Sequence, residues 1–133
     1  MKALLSALSA VLGWAAGFLY YATYMTFFTP WGRPTDVQAM LFWSGVFVSI
    51  AWLLAVLPFV LLVDETSKFL QLPGAVIVGA IGGLVSFLLL VGWWTGFWTD
   101  GLYLVYALVV GATTGAAYVA LMRLARRAVN PAA

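Results

Sequence analysis

Six basic and four acidic side chains are all that this chain of 133 residues carries, and their placement leaves four long stretches with no charge. The charges fall at Lys2, at Arg33 and Asp36, at Asp64, Glu65 and Lys68, at Asp100, and at Arg123, Arg126 and Arg127. Between them lie Ala3–Gly32, Val37–Val63, Phe69–Thr99 and Gly101–Met122. Each reaches the roughly 20 residues with which an α-helix crosses about 30 Å of hydrocarbon. A transmembrane β-barrel would show alternating segments of about ten residues. Runs such as Leu53-Leu54-Ala55-Val56-Leu57 do not alternate. The expected fold class is therefore all-α: a single domain, 1–133, forming a four-helix transmembrane bundle with short loops.

Composition agrees. Apolar residues make up 65% of the chain and charged residues 8%, against roughly 45–50% and about 25% in soluble domains. A soluble fold this small keeps too much of its surface wet to hide so much apolar area. The N-terminal Met1-Lys2-Ala3-Leu4-Leu5 resembles a signal peptide, with Ser9-Ala10 as a cleavage site. The apolar run continues to Phe28, so the segment reads as a membrane helix.

The expected spans cover residues 3–28, 38–63, 74–98 and 102–124. Thr29-Pro30-Trp31-Gly32-Arg33-Pro34 forms a turn, with Asp36 as N-cap of the second helix. Pro58 has no N–H for the carbonyl of Leu54, so a kink is expected there. Phe69, Leu70 and Leu72 are expected at the membrane interface, with Lys68 in water. Thr99-Asp100-Gly101 is a tight turn in which Asp100 caps the fourth helix. With four spans, Lys2, Lys68, Arg123, Arg126 and Arg127 share one side and Arg33 stands on the other. The positive-inside rule then places both termini in the cytoplasm, in a bacterial-type inner membrane.

Small residues recur four apart, on one helix face. Gly13/Gly17, Gly79/Gly83, Gly92/Gly96 and Gly111/Gly115 read G-x-x-x-G, Ala112/Ala116 form a second row in the fourth helix, and Ala51/Ala55 follow the same spacing. Helices in lipid associate through such faces, because packing replaces escape from water. These residues are the expected helix-packing and partner interface. In the fourth helix one row is expected to pack within the subunit and the other to face a second chain. Hydroxyls in the spans are expected to bond back to their own i−4 carbonyls, and Thr113-Thr114 is the first pair to examine for a polar contact between helices. Gly13-Trp14-Ala15-Ala16-Gly17-Phe18 resembles Gly92-Trp93-Trp94-Thr95-Gly96-Phe97, a similarity that chance explains in a chain rich in Gly and Trp.

Aromatic residues crowd the outer half. Tyr20, Tyr24, Trp31, Trp43, Trp93, Trp94 and Trp98 mark either an interfacial belt or a cleft for an apolar ligand, a lipid or a partner chain.

The absences exclude chemistry. Without Cys or His there are no thiolate or imidazole ligands for a metal, haem or iron–sulfur cluster. No Asp, Glu, Lys or Arg lies in mid-span, where ion paths and proton relays commonly have a charge. No nucleophile, base and orienting group come together, so neither an enzyme nor a cofactor is expected. The net charge of +2 is too small to suggest nucleic acid. The expected function is a non-catalytic accessory, scaffold or assembly subunit, packed in the bilayer against another membrane protein or its own copies. The alternative is a small oligomeric channel or transporter without an intramembrane carboxylate.

Overall fold

Within an apolar segment only a helix satisfies every backbone hydrogen bond locally, and each uncharged stretch forms one. The computed structural model describes residues 1–28, 34–96 and 101–132, without the side chains of Pro34, Thr35, Asp36 and Trp94. It is all-helical, with no strand among the described residues. Span one is α1 (Lys2–Phe28). Span two is α2 (Pro34–Ala51), a π-helical turn (Trp52–Val56) and α3 (Leu57–Leu62). A short 3-10 turn, Lys68–Leu70, precedes span three. Span three is α4 (Leu72–Phe87), a second π-helical turn (Leu88–Gly92) and α5 (Trp93–Thr95). Span four is α6 (Gly101–Val129). All four rods are long and apolar enough to cross a membrane.

Several boundaries differ from the sequence expectation. The second helix begins at Pro34, a residue suited to a first turn because its missing N–H is not needed there. Asp36 therefore sits inside the helix and not before it as an N-cap. Span four continues beyond Leu124 to Val129, with Arg126 and Arg127 in its last turn, where positive charge suits the helix dipole. Span three stops at Thr95, because Gly96 turns left-handed at φ +74° and donates to the carbonyl of Gly92 over 3.1 Å. Gly92 closes the π turn and is buried, and Gly96 ends the helix, with nothing within 4 Å of a Cβ built there. The turns expected at 29–33 and 97–100, including the Asp100 cap, lie outside the described residues.

Just before Pro58, where a kink is expected, span two carries a π turn. The Leu57 N–H reaches back to the Trp52 carbonyl, one residue beyond α-helical reach. Pro58 then occupies the first turn of α3. The second π turn, at Leu88–Gly92, has no proline to announce it.

Span four is the axle. Its most extensive contacts are with spans three and one. Spans three and four meet backbone to backbone: a Cβ on Gly111 would overlap the Gly79 carbonyl oxygen, and one on Gly115 would overlap the Ala75 carbonyl oxygen. A Cβ on Gly83 would come 2.9 Å from the Gly111 Cα. Span one presents Ser6, Ser9, Ala10, Gly13, Gly17 and Tyr21, all buried and mostly small. Gly13 lies over Thr114, and Gly17 over Val110 and Tyr106.

At one end, Glu65 from the connection between spans two and three accepts from Arg126 Nη2 at 2.6 Å and pairs with Lys2 Nζ at 3.9 Å. The start of span one, that connection and the end of span four therefore share one end of the molecule. These partly exposed pairs are each worth about 0–1 kcal/mol. Beneath them Leu70 does not lie at the periphery as expected; it is buried with Val60, Tyr118 and Met122.

A methyl group at Gly111 has backbone in its way. Gly111→Ala is expected to destabilise the fold by about 1–3 kcal/mol, a typical overpacking cost. A Cβ at Gly82 meets nothing within 4 Å, so Gly82→Ala should be neutral or stabilising, as removal of helical glycine usually is. Thermal midpoints of the two variants in detergent check the contrast, and equal midpoints would refute the backbone contact.

Candidate functional site

Close packing is not shared evenly among the spans. Over their most apolar 18-residue windows, spans one and four are 28% and 39% buried, but spans two and three only 6% each. Span two touches span three weakly. Between them runs a groove of about 260 Å³. Its floor is span four, from Tyr106 through Ala107, Gly111 and Gly115 to Tyr118. One wall is span two, including Phe47, Ala51, Trp52, Ala55 and Phe59. The other is span three, including Gly79, Gly82, Gly83, Ser86 and Phe87. Phe69 and Leu70 bound it at the charged end.

Two tryptophans hold span two to span one. Trp14 Nε1–H donates to Ser44 Oγ at 2.8 Å, and Trp52 Nε1–H donates to Ser6 Oγ at 3.0 Å. Each serine also donates back to its own helix, Ser6 to the Ala3 carbonyl and Ser44 to the Leu41 carbonyl. Both serines are buried, and a buried indole N–H needs an acceptor. The Trp14 ring packs over Gly45, where a Cβ would stand 3.4 Å from it, an ordinary contact. The clips fasten span two to span one while its other flank stays open toward the groove.

The polar contacts between spans one and two are thus these two Trp–Ser pairs. Thr114 Oγ1 donates to the Val110 carbonyl at 2.7 Å, the usual bond of a helical hydroxyl to its own backbone. The sequence signal for the real contacts was four residues in two well-separated pairs, Trp14 with Ser44 and Trp52 with Ser6. Their pairing becomes visible only when spans one and two are set side by side.

Of the seven residues of the expected aromatic cleft, Tyr20, Tyr24, Trp43 and Trp93 have described side chains, and none of these lines the groove. Trp43 is 56% exposed and Trp93 82% exposed. Tyr20, Tyr24 and Phe28 form a ladder along span one, with ring centroids 6.4 and 5.2 Å apart. Trp43 lies between Phe42 and Phe47 along span two. Depth along a helix follows from sequence position, but the direction around the bundle does not. Trp31, Trp98 and the Trp94 side chain lie outside the described residues. Trp14 and Trp93, matched in the internal similarity, differ in environment: one is half-buried and hydrogen-bonded, the other faces outward.

The groove contains no Asp, Glu, Lys or Arg, and its hydroxyls are those of Ser86, Thr114, Tyr106 and Tyr118. Tyr106 and Tyr118 are 6% and 3% exposed, and both hydroxyls are buried without a hydrogen-bond partner. Ser44 stands beside Tyr106 but outside hydrogen-bonding geometry. Among the described residues no three acidic side chains gather as a metal site. In comparisons with known proteins, no family model, no curated protein and no solved structure matches this chain.

The clips predict measurable coupling. Double-mutant cycles pairing Trp14→Phe with Ser44→Ala, and Trp52→Phe with Ser6→Ala, are expected to give about 0.5–1.5 kcal/mol each. Crossing the pairs, Trp14→Phe with Ser6→Ala, should give none. Unfolding free energies in mixed micelles provide the measurement.

Proposed function

We propose that the chain is a non-catalytic membrane subunit, an accessory or scaffold protein that packs against another membrane chain. The observation that carries this reading is the low burial of spans two and three, 6% of each window. Few residues of these two rods are fully enclosed within the subunit, and the rest are half-buried or exposed. Span four has the same character on one side. Its glycine row is occupied by span three, whereas Ala112 and Ala116 are half-buried and Ala120 is exposed. Small residues on an outward face let a foreign backbone approach closely. A channel or transporter is the second reading, and the groove would be its path. Its nearly uncharged, apolar lining offers a hydrated ion little in exchange for its water.

The sidedness proposed is cytoplasmic for both termini. Lys2, Lys68, Arg123, Arg126 and Arg127 belong to the end where Lys2, Glu65 and Arg126 meet, and Arg33 belongs to the opposite connection. Reporter fusions after Gly32 and Asp100 should report the outside, and a fusion after Lys68 the inside. An inside signal at Gly32 would reverse the orientation.

The accessory reading is tested by purification in mild detergent with chemical cross-linking. A defined foreign chain should accompany the wild type, whereas a closed set of its own copies would favour the channel or transporter. Ala116→Leu should weaken that association several-fold with the thermal midpoint of the subunit unchanged. Gly115→Leu should lower the midpoint itself, because its side chain meets the Ala75 backbone. A wild type that is monomeric in both detergent and lipid discs would defeat the reading.

A further inference from the structure

Span two is unevenly held along its length. The half nearer the charged end is fixed twice: Trp52 donates to Ser6 at 3.0 Å, and Val60 is buried with Leu70, Tyr118 and Met122. The other half, α2, is held lightly. Among its described side chains only Ser44 is buried, and Trp14 of span one reaches that serine. Contact between α2 and span three is slight. Between the two halves lies the π turn Trp52–Val56, with Pro58 just beyond it. Sharp bends in helices gather at π turns and prolines. α2 is therefore a lever with a defined fulcrum.

Ser44 sits beside a group that lacks a partner. Tyr106 of span four is 6% exposed, and its hydroxyl is buried without a hydrogen bond. Ser44 stands next to it, outside hydrogen-bonding geometry. A serine oxygen has two lone pairs and one proton. One lone pair accepts from Trp14, and the proton goes to the Leu41 carbonyl. The second lone pair suits a phenolic O–H, and buried hydroxyls seldom stay unmatched. Met40 and Val48, one turn to either side of Ser44, already pack against the cluster of Tyr21, Tyr106 and Val110. The serine is thus the polar point of an apolar seam between α2 and span four. From Leu54 to Ser44 the lever is about 15 Å long, at about 1.5 Å per residue. A swing of about 4° moves Ser44 by about 1 Å, the scale that separates a contact from a hydrogen bond.

We propose that α2 is a strap with two positions and that Ser44 is its catch. In the structure the strap is open, and Ser44 is held by Trp14. It closes by a small swing at the π turn, which brings Ser44 Oγ onto the Tyr106 O–H. Ser44 then accepts from Trp14 and Tyr106 together and joins spans one, two and four at one atom. The two bonds use different lone pairs, so Trp14 does not let go. Phe47 and Val48, which line the groove with Tyr106, move with the strap toward span four. The device belongs to the subunit alone and does not rest on the accessory reading.

The chain has no cysteine, so Ala39→Cys, exposed on α2, carries a trifluoromethyl probe at one position. Fluorine resonance of the labelled full chain in lipid discs reads the strap. Tyr106→Phe keeps the ring and cannot donate. It should shift the balance toward the open signal about fivefold, the factor of one neutral hydrogen bond. Ser44→Ala should move the signal in the same direction, and Tyr106→Phe should then add nothing. In a Trp14→Phe background the Tyr106→Phe shift should persist. Unfolding in mixed micelles gives an independent reading: Tyr106→Phe should lower the thermal midpoint, and lose most of that effect when residue 44 is alanine. A hydroxyl that stays unmatched requires the opposite, an equal or higher midpoint for Tyr106→Phe. That result, effects of Tyr106→Phe and Ser44→Ala that simply add, or a fluorine spectrum indifferent to Tyr106→Phe would each overturn the proposal. If Ser44→Ala does not fold, the sign of the Tyr106→Phe midpoint and its fluorine spectrum decide.

Discussion

The contact on which the other features depend is the approach of two backbones where spans three and four lack side chains. Gly79 and Gly83 face Gly111, and Gly115 faces the Ala75 carbonyl, so nothing larger than hydrogen fits between them. Dispersion is individually weak and grows with the number of atoms at contact distance, and direct contact between backbones maximises that number. Span one uses the same device against another side of span four, with Gly13 over Thr114 and Gly17 over Val110. Three helices are thereby drawn together, and span four becomes the most buried of the rods.

Span two is held differently, and the groove follows from that. Its links to span one are two hydrogen bonds from indole N–H groups to buried serines. A tryptophan is a long side chain, so these clips set span two at a distance that glycine contacts would not allow. A π turn begins at Trp52 itself. It accommodates the missing donor and bulky ring of Pro58 by widening the hydrogen-bond register. Ala51 and Ala55, at small-residue spacing on this rod, consequently line open space instead of meeting a neighbouring backbone.

The charged end adds little energy and much definition. Glu65 bridges Lys2 and Arg126 through partly exposed pairs, each of which contributes modestly. Their effect is to collect the start of span one, the central connection and the end of span four above the buried cluster of Val60, Leu70, Tyr118 and Met122. The result is a lopsided molecule: one end closed by charge and a small core, one flank closed by glycine contacts, and one flank open.

Helical class, the number of spans and their approximate limits were legible in the sequence, because they depend on local quantities. A run of apolar residues without charge must be helical if it is to satisfy its own backbone, and Pro58 removes a donor wherever it stands. Chemistry based on thiolates or imidazoles was excluded by composition alone. Direction around each helix was not legible, because it depends on which neighbour lies beside which face. That is why Gly111/Gly115 and Ala51/Ala55, alike in spacing, ended as a backbone contact and a groove wall. It is also why Tyr20, Tyr24 and Phe28 on one rod, and Phe42, Trp43 and Phe47 on another, form separate ladders. Gly96 looked like part of a packing row until its left-handed backbone ended the helix. Only the tertiary structure could pair Trp14 with Ser44 and Trp52 with Ser6, since residues 30 and 46 positions apart meet solely through the placement of two helices.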